Sequence, residues 1–245
     1  MTEQRAEPEA VTKKRRGGIP RGCLLGGLGL SAGLLTAVVV VIGLAVTWAK
    51  KAADINRAAK TAAPLQIAPY RPSKEEVARV NRSVERTFQA LKLGTGEAFS
   101  YRTEELNTLL SANPLMRAAG VKSRVEIDGD RMIGQLSIPR NLVSKASGDR
   151  PDSGGGGYFN ATYDVEISTS EGVLTVKFNE LSLNGIAIPT TLLRRADTVI
   201  DRVSQHEQVQ KILSRAKTVE IRDDVLHVVS KSAEDSNASL RLKVR

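Results

Sequence analysis

The sequence predicts an α+β protein: an N-terminal transmembrane helix, then an antiparallel meander sheet packed by amphipathic helices. Three observations carry this. An apolar run at 23–49 holds no charged residue. Apolar residues recur at helical spacing in two groups, 73–113 and 192–216. Between and after those groups they alternate with polar residues across short Gly, Asn or Asp turns. Strands joined by short turns are antiparallel, and grouped helices favour α+β over α/β.

The apolar run comes first. Its core, Leu28 to Trp48, is interrupted only by Ser31, Thr36 and Thr47. About 20 apolar residues in a helix cross a hydrocarbon layer of roughly 30 Å. A cleaved signal peptide would carry a shorter apolar stretch and a better cleavage site than Ala45-Val46-Thr47. Cys23 stands at the start of the run and not after it, so it is no lipid-attachment cysteine. Lys13, Lys14, Arg15, Arg16 and Arg21 lie before the run, and Lys50, Lys51 and Arg57 after it. That bias places residues 1–22 in the cytoplasm as a basic tail and the rest outside it. The expectation is a single-pass signal-anchor in the inner or plasma membrane. Gly29 and Gly33, four apart, allow two such helices to pack closely as a homodimer; glycine is also simply common in membrane helices.

Residues 50–72 are rich in Ala, Pro and basic residues and read as a linker: a helical extension, then an extended tether. The domain is expected over 73–231. Ser73 and Glu76 match a capping box, Val77, Val80, Val84, Phe88 and Leu91 form a helical stripe, and Gly94 stops the helix. A second helix starts at Thr103, with Leu106, Leu109 and Leu110 as its apolar face and Asn113-Pro114 as its end. Val121–Ile127 and Met132–Ile138 alternate around Gly129-Asp130, which reads as a hairpin. The stretch 140–157, with Gly154–Gly157, reads as a surface loop. Phe159, Ala161, Tyr163, Val165 and Ile167 share one face of a long strand. In the next strand the apolar phase slips at Asn179-Glu180, which calls for a β-bulge. Asn184-Gly185 turns the chain towards Ile186 and Ile188. Leu192, Leu193, Ala196, Val199, Ile200 and Val203 form one helical stripe, and Val209, Ile212, Leu213 and Ala216 a second. Val219, Ile221, Asp223-Asp224, Leu226 and Val228 form a last hairpin. Residues 232–245 are a loose polar tail, with Leu240, Leu242 and Val244 spaced for an edge strand.

Composition narrows function mainly by exclusion. The formal charge is +9, but residues 1–22 contribute +3, 50–71 contribute +4, and 72–245 only +2. The basic flanks bracket a membrane run, so nucleic acid is not an expected partner. One cysteine and two histidines exclude a disulfide framework and a thiolate or histidine-rich metal site. The glycine stretch leads into a strand and lacks the Gly-Lys-Ser/Thr of a phosphate loop. The one Gly-x-Ser-x-Gly, Gly29–Gly33, lies inside the apolar run and there is none in the domain; His206 opens a polar helix, His227 sits in a strand, and Asp223-Asp224 reads as a turn. No catalytic residue, metal or cofactor is assigned, and the chain is not expected to be an enzyme.

"FSYRTEELNTLLSANP", "LSLNGIAIPTTLL" and the final "VEIRDDVLHV", behind an N-terminal anchor, resemble the bacterial YpmS-like family of anchored extracytoplasmic proteins. More distantly they are similar to LmeA-like proteins of the tubular lipid-binding class. The resemblance spans roughly 73–230 and rests on Glu105-Leu106-Asn107 and on Asn184-Gly185 through Pro189. It implies a curved sheet wrapped on a long helix and, for the lipid-binding class, an apolar groove. It transfers no catalytic residue.

Two readings follow. In one, the domain is an interaction or scaffolding module of the bacterial envelope, with an envelope protein as partner. In the other, it binds a lipid or other apolar envelope component in a groove lined by Val84, Phe88, Tyr163, Phe178, Leu193 and Ile200.

Overall fold

A computed structural model of the chain describes residues 62–142, 156–170, 173–189, 193, 213–232 and 235. The apolar run at 23–49, Gly29, Gly33, Ile200, the helical stripes between 194 and 212 and the edge strand expected at 240–244 lie outside the described residues. Among those described, no helix is long and apolar enough to cross a membrane.

Helix α1, Lys74–Leu93, is fixed at both ends by the expected residues. Ser73 Oγ accepts from Glu76 N–H at 3.1 Å, and Glu76 Oε2 accepts from Ser73 N–H at 2.7 Å. Gly94 takes φ 69° and returns its N–H to Ala90 O at 2.8 Å. The buried seam is Val80, Val84, Thr87 and Leu91. Phe88, expected on that seam, is only half-buried; Thr87 takes the place because Tyr101 Oη meets its hydroxyl at 2.6 Å. Strand β1, Ala98–Tyr101, follows; it is too short to display an alternation and was not expected. Helix α2, Thr103–Ala112, starts where expected, and Pro114 opens a further short helix, α3, Pro114–Ala118.

The remaining strands are β2 (Lys122–Asp128), β3 (Arg131–Pro139), β4 (Tyr158–Ser170), β5 (Val173–Leu183), β6 (Ile186–Ala187), β7 (Ala216–Arg222) and β8 (Val225–Ser230). The sequence suggested one meander; the strands in fact divide between two antiparallel sheets, a five-stranded β2-β3-β4-β5-β6 and a three-stranded β1-β8-β7. The division arises because β1 occupies one side of β8, while β7 meets β4 without a backbone ladder. A side chain makes that join: Val219 N–H donates to Thr169 Oγ1 at 2.6 Å. Ala216, expected to close a helical stripe, instead begins β7, paired with Ser230 and buried.

The turns follow their sequences. Asn184 and Gly185 both take positive φ, 50° and 78°, as do Asp223 and Asp224, 53° and 62°, matching the twist of the hairpins they close. The β2–β3 and β7–β8 turns clasp each other: Gly129 N–H donates to Asp224 Oδ1 at 2.7 Å, and Asp224 N–H to Gly129 O at 3.0 Å. The expected bulge is present. Asp164 pairs with Glu180 and Val165 with Phe178, so Asn179 is the extra residue that restores the apolar phase.

One contiguous core joins both sheets to α1 and α2, from Val80, Val84 and Leu106 through Val125, Met132 and Val165 to Ile221 and Val228. The long helix α1 makes its main contacts with α2 and β8; α2 is the helix that reaches the five-stranded sheet, at β2. Residues 62–72 carry no helix or strand, but the part from Ala63 to Ile67 is docked. Ile67 is 9% exposed, and Asn160 in β4 bonds to Ala63 and Leu65. The folded part therefore begins ahead of Ser73. At the other end, Ser232 and Asp235, in a stretch read as loose, cap each other: Asp235 N–H donates to Ser232 Oγ at 3.2 Å and Ser232 N–H to Asp235 Oδ2 at 3.0 Å.

Candidate functional site

The apolar candidates separate into closed and half-open positions. Val84 on α1, Tyr163 on β4 and Leu193 are buried at 1%, 3% and 6% exposure and belong to the core. Phe178, beside the bulge, is half-buried and packs against that core. Phe88 is half-buried on α1 and is not among the residues packed on the core. The structure thus brings Val84, Tyr163, Leu193 and Phe178 to one apolar interior.

Tyr163 shows how tightly that interior is filled. It pairs directly with Gly134 of β3, and its ring lies where a Gly134 Cβ would stand. Only glycine leaves room for the ring there. Burial pushes the Tyr163 phenol well above its ordinary pKa.

Several buried polar side chains do work that the sequence did not reveal. Asn107 on α2 accepts from Val125 N–H at 3.0 Å and donates to Val125 O at 2.8 Å; Thr103, one turn earlier, accepts from Ile127 N–H at 2.9 Å. β2 is an edge strand, so these two side chains satisfy three of its outward backbone groups and cover the middle of the edge. The signal available in sequence was a Thr and an Asn at i, i+4 beside the leucine face. Glu105, between them, accepts from Arg102 N–H at 3.0 Å and holds the helix start. Tyr101 is buried against α1, where Thr87 and Ser83 hydroxyls reach its oxygen at 2.6 and 3.5 Å. Burial raises its pKa, and those hydrogen bonds partly offset the rise.

A second polar cluster joins β3, β4, the β5–β6 turn and the linker. Asn160 N–H donates to Asn184 Oδ1 at 2.8 Å, and Asn184 N–H to Asn160 O at 2.7 Å. Asn160 Oδ1 accepts from Ser137 Oγ at 2.8 Å and from Leu65 N–H at 3.3 Å, while Asn160 Nδ2 donates to Ala63 O at 2.8 Å. Asn184 Nδ2 is buried with no partner.

The remaining candidates for chemistry are few. Ser100, His227 and Glu220 stand in one cross-strand row of the three-stranded sheet. Ser100 Oγ lies 3.1 Å from His227 Nδ1, but His227 Nε2 has no partner and the Glu220 carboxylate pairs with Arg222 at 3.2 Å. The row has no acid to orient the imidazole, which a nucleophilic serine requires. Among the described residues no group of three or more His, Cys, Asp or Glu side chains is placed to hold a metal. The outer face of the five-stranded sheet carries paired charges: Arg131 with Asp128 and Asp164 at 2.6 and 3.0 Å, and Lys177 with Glu166 at 2.9 Å.

Comparison with known proteins returns no family profile, no characterised protein and no solved structure that matches the chain.

Proposed function

We propose that the chain is a single-pass, membrane-anchored interaction module with a cytoplasmic N-terminus, an extracytoplasmic domain and no chemistry of its own. The observation that carries this reading is the ring of Tyr163 laid on Gly134 inside a core that also closes over Val84 and Leu193. An acyl-chain groove would need those three residues to part. The motifs that carry the YpmS-like resemblance serve the fold: Glu105 caps α2, Asn107 closes β2, and Asn184 holds Asn160. They argue for shared architecture and are silent about a shared ligand. A partner in the envelope is the role that suits a domain held at the membrane whose described apolar candidates Val84, Tyr163 and Leu193 are closed into the core.

Two measurements test this. A C-terminal alkaline-phosphatase fusion to the full chain is expected to be active; activity only in a cytoplasmic reporter overturns the topology. Native mass spectrometry of a chain beginning at Ala62 is expected to show protein without lipid. Stoichiometric phospholipid that is lost on Phe178→Ala, with the fold intact, would establish the groove instead.

A further inference from the structure

The Asn160 cluster is built like a reader of extended peptide backbone. A side-chain amide that accepts from one residue's N–H and donates to the C=O two residues earlier imitates a neighbouring strand. Asn160 does this to Ala63 and Leu65. It skips Pro64, the one residue of the three with no N–H to offer. Proline also holds the residue before it in extended backbone, so Ala63-Pro64-Leu65 is preset for this contact. Ile67, two residues on, is buried and gives the segment an apolar anchor.

The reader is held rigid from behind. Ser137, 0% exposed, donates to Asn160 Oδ1 and fixes the plane of the amide. The reciprocal backbone and side-chain bonds with Asn184 fix the main chain beneath it. Beside it, Asn184 Nδ2 is buried without an acceptor, a spare donor for a further carbonyl. The segment 63–67 lies within the basic linker that leads back to the apolar run.

We propose that this sheet end is a peptide-binding site, occupied in cis by the chain's own Ala63–Ile67, whose exchange partner is an extended segment of the pattern small–Pro–apolar–x–apolar. The proposal deepens the interaction-module reading and rests on it: it names the partner's chemistry and the contact the partner must displace. Tethering keeps the cis segment at millimolar effective concentration, so a partner engages only when it binds better than the linker or when the linker is drawn away.

The test uses full-length chain in detergent and a fluorescein-labelled peptide of residues 61–70. Replacing Ala63–Ile67 by Gly and Ser should open the site, and the peptide should then bind with at least about tenfold higher affinity than to the unaltered chain. Adding Asn160→Ala to that variant should abolish the gain. Binding that is equal in both chains, or unchanged by Asn160→Ala, overturns the proposal. Hydrogen exchange on the unaltered chain gives an independent arm. The Leu65 amide should be protected and should lose protection in excess unlabelled peptide; a Leu65 amide unprotected from the outset overturns cis occupancy. The phosphatase fusion separates the two readings, because an inactive fusion removes the anchor and leaves peptide binding to stand or fall by itself.

Discussion

Gly134→Ala is the most informative single change in the core. The added methyl would meet the ring of Tyr163, which is 3% exposed and has core side chains around it. Overpacking of this kind costs about 1–3 kcal/mol. Tyr163→Ala removes the ring and should cost about 3–5 kcal/mol, as large-to-small changes of buried aromatics do. With the ring gone, Gly134→Ala has free space and removes a flexible strand glycine, so it should be neutral or stabilising by about 0.5–1 kcal/mol. The double-mutant cycle should therefore show a coupling of about 1–4 kcal/mol. Urea denaturation of a chain beginning at Ala62 measures it, provided the slope with urea is unchanged across the four proteins. Additivity within about 0.5 kcal/mol would refute the reasoning. It would mean that the ring can swing into open space, which is what a groove beside Tyr163 would provide.

Three further changes probe the rest of the fold. Asn107→Ala leaves both backbone groups of Val125 without their partner and should cost about 2–4 kcal/mol, with faster exchange of the Val125 amide; a cost under about 1 kcal/mol would contradict edge closure. A chain beginning at Ser73 loses the burial of Ile67 and should be less stable by about 1.5–3 kcal/mol than one beginning at Ala62, and equal melting temperatures would show that the linker does not dock. The Glu76 carboxyl is held below its ordinary pKa, chiefly by the Ser73 N–H. A depressed folded pKa means stability that is present above the unfolded value and lost as pH falls through the folded one. The difference between the unaltered chain and Glu76→Gln should therefore shrink below about pH 4, and a pH-independent difference would count against the cap.

Much of this architecture was legible in the sequence because it is written in apolar period and in turn chemistry. Ser73, Glu76 and Gly94 bound α1, the alternation of Phe159–Ile167 set the buried face of β4, and the phase slip at Asn179 marked the bulge. Each of those signals is local. The division into two sheets was not legible, because it depends on β1, four residues that show no alternation, pairing with β8 about 130 residues away in sequence. Phe88 and Thr87 exchanged places for a related reason. Hydropathy favours the phenylalanine for the seam, but the buried hydroxyl of Tyr101 needs a partner and Thr87 supplies it.

The polar residues that organise the fold escaped for a deeper reason. Asn107, Asn160, Asn184 and Thr169 each bond to backbone remote in sequence, the nearest 18 residues away, and stand in for a strand where none is present. An asparagine that completes a strand edge has the same composition signal as one on a solvated surface. Only the geometry separates them. The same property links structure to role. Asn107 and Thr169 bind backbone that belongs to the folded core on both sides, so their contacts are permanent. Asn160 binds backbone at the end of a linker, where the alternative to binding is a free chain and not an unfolded domain. That difference makes Asn160, and not the apolar interior, the place where this domain can exchange one partner for another.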